Sequence, residues 1–293
     1  MEHKSGFVNI IGNPNVGKST LMNALVGDKI SIITSKAQTT RHRIMGIVNG
    51  DDFQIIYSDT PGIIVPKYEL QKNMMKSVRT ALIDADILLY VTDIVEKTDK
   101  NQDYLNKLKD QSVPVVVIIN KTDLTSDERI HELEQFWKKN LPNAEIIAVS
   151  ALKGTNITSL FEKIIALLPV APPYYPKDAF TDKSERFFVS EIIRGKILLQ
   201  YQKEIPYSVE IEVDSFKEDT DIIRIRALIY VSRNSQKGII IGHKGEAIKK
   251  LGIASREDIE AFFEKKIYLE LFVKVRKNWR DDPRNLKQFG YMN

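Results

Sequence analysis

Apolar and polar positions follow two rhythms along the first half of the chain. Short runs rich in β-branched residues fall at Phe7–Ile11, Gln54–Ser58, Ile87–Thr92, Val113–Ile119 and Glu145–Val149. Between several of them lie stretches with a helical period, Leu70–Asp84, Asn101–Lys109 and Glu128–Lys139. The run Val113–Ile119 is apolar throughout, as expected of a strand covered on both faces of a parallel sheet. Strands alternating with helices predict an α/β unit with a doubly wound, mostly parallel sheet. Arg43–Asn49 reads as one more strand, pairing with Phe53–Tyr57 across the turn residues Asn49–Asp52.

Prolines at 169, 172, 173 and 176 then interrupt the pattern. That density cannot continue a helix and favours an extended, semi-rigid connector. The expected organisation is a first domain over 1–170, a linker over 171–182 and a second, smaller α+β domain over 183–293. The second domain opens with a helix over Ser184–Gln202, Ser184 being placed as its N-cap. Strands over Tyr207–Phe216 and Ile222–Val231 follow, then Gly238–Gly245. A helical stretch over Glu246–Lys265, interrupted around Gly252, leads to a last strand over Tyr268–Val275.

Composition narrows the setting. The chain has 293 residues, 43% of them hydrophobic and 28% charged, which suits two globular domains. It has no cysteine, so neither disulfides nor thiolate zinc sites stabilise it. No apolar run is long enough to span a bilayer, and the first residues lack the pattern of a signal peptide. A cytoplasmic protein is expected, at most peripheral to the inner face of the cell membrane. The 43 basic and 39 acidic residues leave a net charge of +4, which excludes nothing. Where the cations gather matters more.

Gly12-Asn13-Pro14-Asn15-Val16-Gly17-Lys18-Ser19 has the spacing of a phosphate loop, and Thr20 continues into a helix. Its glycines let backbone amides wrap a phosphate at a helix N-terminus. Lys18 would reach the β- and γ-phosphates, and the Ser19 hydroxyl would ligate Mg²⁺. Asn120-Lys121-Thr122-Asp123 ends the next-to-last strand of the first domain. A carboxylate at Asp123 can accept from guanine N1–H and from the N2 amine, donors that adenine does not offer at those positions, so GTP is expected over ATP. Asn120 would tie the loop together, the Lys121 stem would lie along the base plane, and Ser150-Ala151-Leu152 would bring the Ala151 amide towards guanine O6. Asp59-Thr60-Pro61-Gly62 ends another strand; Asp59 would hold Mg²⁺ through a water and Gly62 would offer its amide to the γ-phosphate. One of Thr39 and Thr40, in the polar segment Ser35–His42, should close on Mg²⁺, and Thr40 is favoured. Lys18, Thr40 and Gly62 are thus the expected catalytic groups.

In their order these motifs resemble the five nucleotide motifs of translation-factor-class GTPases. More narrowly, Gly12–Ser19, Gln38–Arg43, Asn278-Trp279-Arg280 and Phe289-Gly290-Tyr291 resemble the Era family of GTPases, along essentially the whole chain. The resemblance implies GTP hydrolysis that is slow, because Ile63 stands where Ras-like proteins carry the glutamine that orients water. It also implies a role for K⁺ in place of an arginine finger, with Asn15 and carbonyls of the Thr34–Thr39 loop as its candidate ligands.

In the second domain, Ile241-Gly242-His243-Lys244-Gly245 opens a helix. A Gly-x-x-Gly loop there, within the order helix, two strands, two helices, strand, predicts a type II KH domain. Ile239, Ile240, Ile241 and Ile248 would line its groove, with Lys244 on phosphate. Lys249, Lys250, Lys274, Arg276, Lys277 and Arg280 gather nearby around Trp279, a mixture suited to phosphate contact and base stacking. The family resemblance implies the ligand: 16S ribosomal RNA near its 3′ end, bound during assembly of the 30S subunit. The chain is expected to act as a monomer with no DNA partner. The competing reading is a signalling GTPase that couples growth or cell cycle through protein or membrane-surface association.

Overall fold

A computed structural model describes residues 2–36, 38–96 and 102–292. Ala37 of the polar loop and Asn101 at the start of the expected helix lie outside the described residues. The chain forms two compact units. One holds residues up to 31, 40–65 and 74–182; the other holds 32–39, 66–73 and the chain from 183 onward.

The first unit is built on a six-stranded sheet of β1 (Lys4–Gly12), β2 (Ile44–Asn49), β3 (Phe53–Asp59), β4 (Ile87–Asp93), β5 (Val115–Asn120) and β6 (Glu145–Ala148). Their order is β2-β3-β1-β4-β5-β6, with β2 antiparallel to β3 and the rest parallel. Every residue of β4 and β5 is buried, as uninterrupted apolar runs require. The helices of this unit are α1 (Lys18–Val26), α2 (Glu69–Ile83), α3 (Gln102–Lys109), α4 (Asp127–Asn140) and α5 (Ile157–Leu167), the first turn of α2 being shared with the second unit. Register decides what meets at the carboxyl edge. Ile10 pairs with Asp59, Gly12 with Val91, and Asp93 with Asn120, so the ends of four strands converge on one crevice.

The proline-rich stretch is no free connector. Gln54, fully buried, accepts from the Tyr174 and Tyr175 amides at 2.8 and 2.9 Å and donates to the Tyr175 carbonyl at 2.8 Å. Further on, the Phe180 carbonyl accepts from Ile47 N at 2.8 Å, and Asp182 accepts from Met45 N at 2.9 Å. The exposed edge of β2 needed partners for its amides, and 171–182 supplies them.

The second unit contains α6 (Glu185–Gln200), β7 (Glu210–Glu218), β8 (Ile222–Val231), α7 (Asn234–Ile241), α8 (Glu246–Phe263), β9 (Lys266–Val275) and α9 (Pro283–Gln288). The three strands lie in order, β7 antiparallel and β9 parallel to β8. Two expectations are corrected here. The strand expected from Tyr207 starts at Glu210, because Pro206 sits in a short 3-10 turn over Ile205–Tyr207. Gly252 does not interrupt α8: Leu251, Ser255 and Ile259 bury one face of a continuous helix, which outweighs the roughly 1 kcal/mol that glycine costs in a helix interior.

Candidate functional site

The phosphate loop joins β1 to α1. Gly17, at φ 95°, occupies the cap position of α1; a Cβ there would stand 2.2 Å from the Asn120 amide nitrogen, so no other residue fits. The first amides of α1 have no side-chain cap and remain available to an anion. Lys18 is buried and donates to the Asn13 carbonyl at 2.8 Å. Burial pulls its ammonium down to about 8, against the opposing pull of Asp59 and Glu96. A buried cation of this kind is stabilised by an arriving phosphate.

Beside it, three oxygen donors from three separated segments meet. The Ser19 hydroxyl donates to Asp59 Oδ2 at 2.7 Å and lies 3.0 Å from the Thr40 hydroxyl, which itself reaches Asp59 Oδ2 at 3.1 Å. The other oxygen, Asp59 Oδ1, is buried without a hydrogen-bond partner. Burial raises the Asp59 carboxyl, opposed by Lys18 and by the hydroxyls of Ser19, Thr40 and Ser31. A hard divalent cation satisfies an orphaned carboxylate oxygen flanked by two hydroxyls, so the donor set fits Mg²⁺. Thr39 is turned elsewhere, its hydroxyl bonded to Thr34 and to the Lys36 carbonyl, each at 2.6 Å. Thr60 donates to the Ile10 carbonyl at 2.8 Å, which anchors the segment, and Gly62 lies against Pro14. The Ile63 side chain is buried, and its amide donates to the Gly12 carbonyl at 3.1 Å.

On the far side of the loop Asn120 acts as a staple. Its Nδ2 donates to the Val16 carbonyl at 2.9 Å and its Oδ1 accepts from Ala151 N at 3.0 Å. Asp123 accepts from the Ser150 hydroxyl at 2.5 Å, while Thr122 opens a short 3-10 turn. Lys121, at φ 65°, donates from Nζ to the Asn15 carbonyl at 2.6 Å and to Asp93 Oδ2 at 2.5 Å. Leu152 is exposed. Sequence reasoning passed over Asp93 and Glu96, the latter bonded to Asn13 and to Thr92. For Asp93 a signal existed: like Asp59, it is an acid at the carboxyl end of a buried strand.

In the second unit, Gly242–Gly245 links α7 to α8. Gly242 has φ 74° and ψ 177°, and a Cβ on it would lie 2.5 Å from the Ala247 Cβ. His243 and Lys244 are exposed, as are Lys249 and Lys250 one turn along, Lys274 near the end of β9 and Lys277 beyond it. Other expected residues fall differently. Ile240 is core, fully buried, and Ile241 and Ile248 pack half-buried against that core, which leaves Ile239 as the exposed isoleucine.

Trp279 is corrected most sharply. It is fully buried, donates from Nε1 to the Ser208 carbonyl at 3.0 Å and meets Phe289 edge to face at 5.7 Å. It cannot stack on a base. Arg276 lies over Tyr230 and Phe289 and donates to Gln288 at 2.7 Å. Arg280 donates to the Tyr207 carbonyl at 3.3 Å and lies 4.6 Å over the Tyr68 ring. The residues that 32–39 and 66–73 bring into this unit are held by its buried groups. Arg194, paired with Glu191, donates to the carbonyls of Gln38 and Thr39, and Leu70 N donates to the Arg280 carbonyl at 3.0 Å.

Two sequence families match the chain, one described as 50S ribosome-binding GTPase over residues 7–121 and the KH domain over 204–280. The chain is 47% identical over 291 residues to the GTPase Era of Syntrophus aciditrophicus, covering 98% of this chain and 95% of that protein. It is 44% identical to the GTPase Era of Clostridium kluyveri, covering 98% and 99%. Among solved structures it resembles Era in complex with MgGDPNP and nucleotides 1506–1542 of 16S ribosomal RNA, at 38% identity and a TM-score of 0.94, covering 99% of this chain and all of that one. A variant of Aquifex aeolicus Era bound to GDP and AlF4⁻ matches equally well, with the same identity, coverage and TM-score.

Proposed function

Because the chain belongs to the Era family of GTPases, a GTP-binding and GTP-hydrolysing enzyme that carries a KH domain, we propose that its RNA ligand is 16S ribosomal RNA near the 3′ end. The observation that carries this is the full-length match to a relative solved with that RNA segment, together with His243 and Lys244, exposed on the Gly242–Gly245 loop. The family described by 50S binding matches only residues 7–121 and says nothing of the KH unit. The chain acts as a GTP-switched monomer in the cytoplasm, binding rRNA during assembly of the 30S subunit.

At the nucleotide site, Lys18 and the amides of α1 would bind the phosphates, and Ser19, Thr40 and, through a water, Asp59 would hold Mg²⁺, which would supply charge neutralisation at the phosphates. Ile63, which follows Gly62, is buried and carries no polar group to orient the attacking water, so hydrolysis is slow. Asn15, exposed at φ 66°, is the proposed K⁺ ligand. Asn15→Ala should remove K⁺ stimulation and bring turnover in K⁺ down to that in Na⁺. An unchanged K⁺ to Na⁺ ratio excludes this role.

The RNA reading is tested by crosslinking the full chain to 16S rRNA with GTP, GDP or no nucleotide. Gly242→Asp is a poor probe, because any side chain there collides with Ala247. At Gly245 nothing lies within 4 Å of a Cβ, at φ 83°, so Gly245→Asp folds at a cost of about 1–2 kcal/mol and sets a negative charge against the phosphate path. It should lower RNA recovery by about tenfold or more. If parent and variant recover 16S rRNA equally, the Gly242–Gly245 loop is not the contact; if neither recovers any in any state, the signalling alternative takes its place.

A further inference from the structure

The carboxyl end of β4 carries an acid that belongs to none of the nucleotide motifs. Asp93 pairs in register with Asn120, and its side chain is only 7% exposed. Oδ1 accepts from the amides of Val95 and Glu96 at 3.0 and 2.8 Å. Oδ2 lies 2.5 Å from Lys121 Nζ, which in turn donates to the Asn15 carbonyl at 2.6 Å. Two of the three donors of that ammonium are therefore fixed, by a carboxylate on β4 and by the phosphate loop.

We propose that Asp93 is a positioning residue for guanine-nucleotide retention, acting through Lys121. The inference rests on the reading of Lys121 as the side chain whose stem lies along the base. A lysine stem loses much rotamer freedom when it is fixed. Asp93 imposes that order in the free protein, so nucleotide binding does not have to. A short ion pair between largely buried groups also resists screening better than a surface pair. Without the carboxylate, Lys121 keeps one uncharged partner at Asn15, and the base loses a fixed surface.

Asp93→Asn isolates this effect, since an amide oxygen can still accept from Val95 and Glu96 while the charge opposite Lys121 is gone. The experiment follows release of a prebound fluorescent GDP analogue from the full chain, chased with excess GDP. Release should accelerate about tenfold or more, the scale of one hydrogen bond to a charged group. Single-turnover hydrolysis of bound GTP should stay within about twofold of the parent, because only retention is touched. Lys121→Ala should speed release to a similar degree, and adding Asp93→Asn to it should change the rate by less than about twofold, the signature of a shared interaction. Asp93→Ser, which also keeps an oxygen acceptor, repeats the test if the asparagine variant does not fold. If Asp93 variants release GDP like the parent while Lys121→Ala does not, or if the two effects multiply, the proposal is overturned. If Lys121→Ala itself leaves release unchanged, the role of Lys121 at the base falls with it.

Discussion

Asp123→Asn should turn a site selective for GTP into one that prefers xanthosine triphosphate. The Asp123 carboxylate is held by the Ser150 hydroxyl at 2.5 Å, on a loop that Asn120 staples to both Val16 and Ala151. The substitution therefore changes the chemistry of a fixed position and leaves the position itself in place. Guanine presents N1–H and an amine to the carboxylate. An asparagine offers one acceptor and one donor, so the amine faces a donor, whereas the 2-oxo group of xanthine is satisfied. Two hydrogen bonds to a charged group contribute about 1.5–3 kcal/mol each, so GTP affinity should fall by about 10²–10⁴-fold. Competition of GTP, xanthosine triphosphate and ATP against a labelled guanine nucleotide reads the outcome. Equal loss for every nucleotide, with no gain for xanthosine triphosphate, would assign Asp123 to loop structure instead.

The second large effect is expected at Trp279, and it concerns stability. An indole fully buried against Ser208 and Phe289 leaves a large cavity when cut back, and Trp279→Ala should cost about 3–5 kcal/mol. The Ser208 carbonyl also loses its donor. Urea unfolding of the second unit should shift accordingly, while Trp279→Phe, which keeps much of the volume, should recover part of the loss. Were the indole an RNA contact, the alanine variant would unfold like the parent and fail only in RNA recovery.

These two residues show what the chain disclosed beforehand. The sheet was readable because its strands are apolar throughout and its helices keep their period. The nucleotide motifs were readable because each sits at a strand end, where loop chemistry is little affected by distant packing. Asp59, Ser19 and Thr40 converge as the order of strands requires. The tail misled for a physical reason. A tryptophan between cations has the composition of a stacking platform, and nothing local tells that its indole nitrogen meets a carbonyl 71 positions away. Gly252 likewise looked like a break until the buried face of α8 showed what holds the helix. Asp93 was legible by the strand-end rule and was passed over because no familiar motif includes it.

The stretch from Ala171 to Asp182 bears on where the first unit can be divided from the rest. Gln54 is fully buried, and its amide is satisfied by backbone groups of Tyr174 and Tyr175. The amides of Met45 and Ile47 are satisfied by Asp182 and Phe180. A shortened chain ending at Leu168 would keep every nucleotide motif yet strip the buried Gln54 amide of its three bonds to Tyr174 and Tyr175, leaving the one to Asn49, and open a strand edge to solvent. Both are costs that a folded domain avoids. A self-sufficient fragment must therefore run to Asp182, fifteen residues past the last helix of the sheet unit, and the shorter piece would be prone to pair edge to edge with its own copies.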